Sequence, residues 1–489
     1  MPTNKVFPIQ SKTACLLKWS WSTVFLGTGK TSSCHRVDQE TITPETFHTF
    51  HNTPGKIRAR EMMRRGEWPR EGCQYCEEIE HAGGTSDRMY QLKAQHHAPP
   101  PELDINVNAN EVTPTILEVY FSNTCNMSCL YCGPHFSSVW EAENNRFGNF
   151  IHGPIHLNAT KTKEFTSNQK QSLEKELEKY ETIKDHMLDL IENKNLHGLK
   201  NYYKIYNNKT NEIKDALQPN YNPFTENYDQ MLKEFWAWLA NNYQHLEHLH
   251  VLGGEPFYQK ELDDIINFFN QHPNSNLVLN LVSNLKIEPK KFQSTIDRLL
   301  DLKHQGKIAR VQITGSLECW GPQQEYVRWG LDLKEFTANM EYMLTKTITI
   351  CINGAINALS IKTTAEYFDK INYWNELRYQ HFPDPKDRIS CSFMTVNYPL
   401  YMKPDIFQAG FFTKDFNNIL AAMPRVTKTE QLNYDHMQGI AKQVEHNSEQ
   451  PDMINYLKIY LNEIDRRRGT DWTKLFPWLE TYSSQSSGV

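Results

Sequence analysis

The stretch TILEVYFSNTCNMSCLYCGPH, residues 115–135, decides how the rest of the chain reads. Ile116 to Phe121 is an apolar alternating run and predicts a buried strand. Cys125, Cys129 and Cys132 follow at once in a C-x3-C-x2-C array. The thiols therefore fall on the loop after a strand, where α/β folds carry their chemistry. Three thiolates in so short a loop can hold an iron–sulfur cluster, and three on a four-iron cluster leave one iron open for reaction. Two plainer readings compete: a zinc knot, with His135 as a fourth ligand, and three buried thiols.

The bulk properties narrow the class. A chain of 489 residues suggests two or three domains, and a 39% hydrophobic content supports a sizeable core. The net charge of −6 gives no global basic field, so there is no strong nucleic-acid signal. No apolar run approaches membrane-spanning length, and CLLKWSWSTVFLG near the start is too short and too polar for a signal peptide. The 10 cysteines then read as reduced thiols or metal ligands in a reducing, cytoplasmic setting.

Residues 1–100 read as a first, cysteine-rich unit. The run Trp19–Leu26 and the residues after Gly29 predict a hairpin turning at GTG. Gly29-Lys30-Thr31 imitates the end of a phosphate-binding loop, but Val24 stands where that motif needs glycine. Cys34 closes the hairpin, GKIRAREMMRRG predicts a basic helix, and Cys73-Gln-Tyr-Cys76 follows. With Cys15 these make four thiols, fit for a second cluster or for a zinc ribbon. A proline-rich linker, 95–114, leads into a second domain, 115–400. Within it, 141–235 reads as a polar insertion around the helical SLEKELEKYETIKDHMLDLIENK.

From residue 245 short apolar runs (HLEHLHVL, LVLNLVS, ARVQIT, TITICIN, ISCSFMTVN) alternate with helical stretches. Together with 116–121 they predict six strands of a mostly parallel sheet, curved into a partial barrel or flat and doubly wound. Residues 401–489 read as a C-terminal helical extension, with INYLKIYLNEIDRRRG the clearest amphipathic run. Cys351 and Cys391 read as core thiols, and Cys319, near the mouth of the expected site, reads as packed, with a reactive thiol as the alternative.

Three strand ends carry further candidates. Gly253-Gly254-Glu255-Pro256 follows the second strand; two glycines let backbone approach a ligand, and carbonyls and Glu255 can accept from an ammonium group. Ser283-Asn284 ends the third strand, either as a turn or as a pair able to bond sugar hydroxyls. Ser316-Leu317-Glu318 ends the fourth, with Arg328 beyond it, and a guanidinium pairs with a carboxylate in a fixed fork.

The cysteine array, with Tyr131 before its last thiol, resembles the signature of the radical S-adenosylmethionine (SAM) enzymes, and GGEP is identical to that family's motif for the SAM amino group. The resemblance implies a partial (β/α)6 TIM-like barrel. It implies a four-iron cluster on Cys125, Cys129 and Cys132, whose open iron chelates SAM and yields a 5′-deoxyadenosyl radical. Tyr131, Gly253, Gly254, Glu255, Pro256, Ser283, Asn284, Ser316, Glu318 and Arg328 would contact the cofactor, with Ser316 and Arg328 on its carboxylate. The spacing Cys15-x13-Gly29-x4-Cys34 resembles the first half of the SPASM/twitch auxiliary-cluster module, so Cys15, Cys34, Cys73 and Cys76 would hold a second four-iron cluster. Glu318 stands where that branch has Asp, and Cys319 where it has Gly; the module here precedes the barrel instead of following it. The branch implies a peptide or protein substrate and an external electron donor such as flavodoxin or ferredoxin. The alternatives are a radical SAM enzyme acting on nucleic acid or a small molecule, and a non-enzymatic two-cluster electron-transfer protein.

Overall fold

The strand read from residues 116–121 lies inside a nine-stranded sheet, with a neighbour on each side. In the computed structural model, which describes residues 12–37, 39–69, 72–81, 86, 88–89, 111–148, 167–193, 210, 226–396 and 398–482, the strands are β1 (Trp21–Phe25), β2 (Lys30–Ser32), β3 (Glu40–Thr41), β4 (Ile116–Tyr120), β5 (His248–Leu252), β6 (Asn274–Ser283), β7 (Ile308–Ser316), β8 (Thr349–Ile356) and β9 (Ser390–Thr395). Their spatial order is β3-β2-β1-β4-β5-β6-β7-β8-β9. From β1 and β4 through β9 every pairing is parallel, while β1-β2 and β2-β3 are antiparallel. The fold is therefore α/β with a mostly parallel sheet. All six strands expected between residues 116 and 397 are present, and so is the N-terminal hairpin, which is hydrogen-bonded into the same sheet through β1 and β4.

The strands alternate, and the register turns that alternation into two distinct faces. Leu117, Val119, Leu249, Val251, Leu279, Leu281, Val311, Ile313, Ile350 and Ile352 form the apolar face, none more than 1% exposed. On the other face Thr23, Glu118, His250, Asn280 and Gln312 stand side by side in one row across β1 and β4 to β7. A parallel sheet buried on both faces reads as continuous apolar runs; this one keeps a polar face.

The helices are α1 (Leu17–Ser20), α2 (Pro54–Arg64), α3 (Gln74–His81), α4 (Ser138–Phe147), α5 (Ser167–Asn193), α6 (Tyr228–Asn242), α7 (Lys260–Gln271), α8 (Pro289–His304), α9 (Pro322–Val327), α10 (Leu333–Leu344), α11 (Thr364–Tyr379), α12 (Thr413–Ala422), α13 (Lys428–Glu445) and α14 (Pro451–Arg468), besides short terminal turns. Helix α7 shows why they pack: Leu262, Ile265, Ile266 and Phe269, at helical spacing, are buried in the core that holds the sheet's apolar face. Helix α6 begins inside the stretch read as an insertion, yet buries Met231, Phe235 and Leu239 in that core, so it completes the connection from β4 to β5. The expected helices at 55–66 and within 141–235 appear as α2 and α5, and the C-terminal residues form α12 to α14.

Candidate functional site at the carboxyl ends of the strands

The loop after β4 is anchored from four directions. Met127 and Leu130 bury their side chains in the core. Ser128 and Leu130 donate their backbone N–H groups to Trp329 and Val327 at 2.9 and 2.8 Å, so the loop runs beside the end of α9. The Trp140 indole of α4 donates to the Cys129 carbonyl at 2.8 Å, and Ser137 caps α4 through Trp140 N. From α14, Tyr460 Oη donates to the Leu130 carbonyl at 2.6 Å and Arg468 Nη2 to the Ser128 carbonyl at 3.1 Å.

Cys125, Cys129 and Cys132 are half-buried on this loop. Burial pushes the Cys125 thiol up to about 12, with Cys129 and Glu255 adding to it. Burial also raises Cys129, against the pull of the Arg328 guanidinium, and raises Cys132, to which the other two thiols add. The three sulfurs thus sense one another in a poorly hydrated setting. Among the described residues no three His, Cys, Asp or Glu side chains converge tightly enough for one metal ion. A single tetrahedral zinc would bring its thiolates within about 4 Å of each other.

The glycine loop after β5 sits directly against this one. Gly253 (φ +87°) would place a Cβ 2.9 Å from Tyr120 Cα, and Gly254 (φ +53°) would place one 2.1 Å from the Thr124 carbonyl oxygen. Only glycine permits both the conformation and the approach. Glu255 N donates to the same Thr124 carbonyl at 2.8 Å. Pro256 opens the short turn that follows.

Glu255 points into the protein. Its carboxylate accepts from Ser283 Oγ at 2.9 Å, Asn284 N at 2.7 Å and Phe257 N at 3.3 Å. Burial raises its pKa to about 7, although those three donors pull the other way. Ser283 is thereby spent on bracing β6 to the glycine loop. Asn284 reaches outward: its Nδ2 donates to Asn126 Oδ1 at 2.8 Å and lies 4.0 Å from Cys125 Sγ. Asn126 in turn donates to the Lys286 carbonyl at 2.7 Å.

After β7, Glu318 is fully buried and paired with Arg328 through both carboxylate oxygens, Nε to Oε2 at 2.7 Å and Nη2 to Oε1. Tyr131 Oη at 2.6 Å, Gln324 Nε2 at 2.8 Å and Ala355 N at 3.4 Å also donate to the carboxylate. Burial opposes both charges, but the pair and its hydrogen bonds overcome it, holding Glu318 below the usual carboxylate range and Arg328 well above its own. Arg328 Nη1 faces Cys129 Sγ at 3.8 Å. Ser316 ends β7 half-buried, in register with Asn353. Cys319, Cys351 and Cys391 are buried as expected.

The N-terminal thiols also gather. Cys15 and Cys73 are buried together with Trp19 and Met63. Burial raises the Cys15 thiol, and Cys34 and Cys73 add to the rise, so three of the four lie within electrostatic reach. Cys76 is one helical step on, its N–H donating to the Cys73 carbonyl at 3.1 Å. Sequence reasoning missed Asn126, Gln324, Tyr460 and Arg468. Asn126 lies inside the cysteine array and Arg468 ends the Arg466–Arg468 run, the two positions where a signal existed.

No family model, no curated protein and no solved structure matches the chain.

Proposed function

We propose that the chain is a radical SAM enzyme, with the six strands β4 to β9 as its partial barrel. The observation that carries this is the meeting, at the carboxyl ends of β4 to β7, of three thiols with a glycine pair too close to the cysteine loop to bear side chains. The residues fit the group. Arg328 Nη1 and Asn284 Nδ2 already face the Cys129 and Cys125 sulfurs, as donors to a thiolate-bound cluster must. When bound, the cluster and SAM would supply one-electron radical chemistry toward a substrate C–H bond, the electron coming from the external donor.

The chain's own residues then have distinct tasks. Cys125, Cys129 and Cys132 hold the cluster. Gly253 and Gly254 let their loop pack against the cysteine loop, and its backbone carbonyls, of which Gly253's already accepts from Gln259 Nε2, are assigned to the SAM ammonium group. Glu255 and Ser283 fix those loops to each other, and Asn284 spans the gap to the cysteine loop. Arg328, with its fork committed to Glu318, offers Nη1 to the sulfur side. Cys15, Cys34, Cys73 and Cys76 are assigned a second, twitch-like cluster that exchanges electrons, with an external flavodoxin or ferredoxin as donor. The substrate assigned is a peptide or protein side chain, and the setting cytoplasmic. For the nucleic-acid alternative the basic residues Arg58 to Arg70 are the local patch in the sequence, and Arg60 among them is buried with its guanidinium on backbone and Asn52 oxygens.

Anaerobic reconstitution tests the reading. Seven thiols in two groups should bind about eight irons per chain. Replacing Cys125, Cys129 and Cys132 by Ala should halve the iron and abolish SAM cleavage. Stoichiometric zinc at the N-terminal four would remove the auxiliary cluster, and a reconstituted protein that binds iron without cleaving SAM would leave an electron-transfer protein.

A further inference from the structure

A second site lies apart from the cysteine loop, between the N-terminal hairpin and α2. There Lys18, Ser32, Ser33, Glu40, Lys56 and Arg58, with Val37, Gly55 and Ala59, line a cavity of about 220 Å³. Its wall carries three cationic side chains and one carboxylate. Lys18, Lys56, Ser32 and Ser33 are all buried, whereas Arg58 is exposed.

Hydrogen-bond accounting separates these groups. The Lys56 ammonium spends its three donors on Ser22 Oγ (2.9 Å), Thr31 Oγ1 (2.8 Å) and the Phe50 carbonyl (2.6 Å), all neutral. Glu40 accepts from Thr53 Oγ1 at 2.7 Å and from Gly55 N at 3.1 Å, so the first turn of α2 already has its anion. Lys18 is different: among the described residues its ammonium makes one hydrogen bond, to Ser33 Oγ at 2.8 Å. An ammonium carries three donors, so Lys18 has two left for whatever fills the cavity it lines. The charges conflict as well, since burial, Lys18 and Arg60 all disfavour the charged form of Lys56 and Glu40 alone supports it. Among the described residues of the wall Glu40 is the one carboxylate beside three cationic side chains, and an anion bound there offsets that imbalance.

We propose that this cavity binds one oxyanion, a carboxylate or phosphate group, held by Lys18 and Ser33 at its floor and by Arg58 at its mouth. Lys18 is the fixed donor, preorganised by burial. Arg58 lines the mouth and is exposed, and a guanidinium there suits either group. Glu40 limits affinity by repulsion. No cysteine lines the cavity, although Lys18 lies near enough to Cys15 to favour its thiolate.

Calorimetric titration of the full chain at low ionic strength, with inorganic phosphate and with acetate against a chloride control, tests this. Saturation at one site by either probe is expected, and the tighter probe identifies the group. Lys18→Met should lower affinity roughly tenfold or more, as loss of one charge-assisted hydrogen bond does. Arg58→Ala, at an exposed position, should weaken binding without affecting folding, and Glu40→Gln should tighten it. Failure of both probes to saturate, or parental affinity in both Lys18→Met and Arg58→Ala, overturns the proposal. If Lys18→Met does not fold, parental affinity in Arg58→Ala together with no tightening in Glu40→Gln overturns it equally.

Discussion

Arg328 grips both carboxylate oxygens of Glu318 while its Nη1 lies 3.8 Å from the Cys129 sulfur, so one buried guanidinium ties the end of β7 to the cysteine loop. Because both charges are buried, removing either partner strands the other. Glu318→Met and Arg328→Met should each lower unfolding free energy by about 3–5 kcal/mol. The double variant should cost clearly less than their sum, since neither charge is then left alone. Urea unfolding of the four proteins measures the coupling; additive losses would show that the pair is not the unit described.

This pair also marks where sequence reading stops. Arg328 was legible as a carboxylate binder, but its partner was not, because Glu318 looked like a departure from a family pattern instead of the counter-charge. The strands were legible from their apolar runs, and the cysteine and glycine loops from their spacing. The polar row of Thr23, Glu118, His250, Asn280 and Gln312 was not, since it depends on the register of five strands. Helix α6 was divided by a boundary at residue 235 because its first turns are polar, although Met231 and Phe235 belong to the core. Tyr460 and Arg468 act on residues more than 300 positions earlier in the chain, a distance over which local patterning carries no information.

Gly254 offers a steric test with an internal control. Its Cβ would meet the Thr124 carbonyl oxygen at 2.1 Å, at φ +53°, whereas Gly306 has a similar φ of +69° and nothing within 4 Å. Gly306→Ala should cost only the backbone strain, about 1 kcal/mol. Gly254→Ala should cost at least about 2 kcal/mol more, because two backbones must part. Equal losses in thermal or urea unfolding would mean that the two loops are not in contact.

Glu255 predicts a pH dependence. Its folded pKa, near 7, lies above the ordinary carboxylate value of 4.5 because burial disfavours the anion. The folded state therefore holds this proton more tightly than the unfolded one. The resulting stability is fully present below pH 4.5 and is lost as pH rises through about 7. Over that window the loss attributable to Glu255 should be about 3 kcal/mol. Glu255→Gln, which cannot ionise, should flatten the decline. An unchanged stability–pH curve in that variant would assign the dependence to other groups.

The last prediction concerns α14, whose hold on the cysteine loop can be measured without any metal. Tyr460 Oη donates to the Leu130 carbonyl at 2.6 Å, and Arg468 Nη2 donates to both the carbonyl and the hydroxyl of Ser128 at 3.1 Å. The Arg468 guanidinium lies over the Trp140 and Trp329 rings at 4.9 and 5.5 Å and pairs with Glu143 at 3.1 Å, so its position is fixed by packing as well as charge. On the proposed reading the loop presents three sulfurs to one group, which calls for that fixation, because short ligand loops without support sample many geometries. Tyr460→Phe removes one hydrogen bond at a cost of about 1 kcal/mol, and Arg468→Met removes the charge-assisted contacts for about 2–3 kcal/mol. Both should speed amide hydrogen exchange at residues 125–132, and leave the strands β5 to β7 protected as before. Exchange in the loop at the parental rate in both variants would show that α14 only covers the loop and does not hold it.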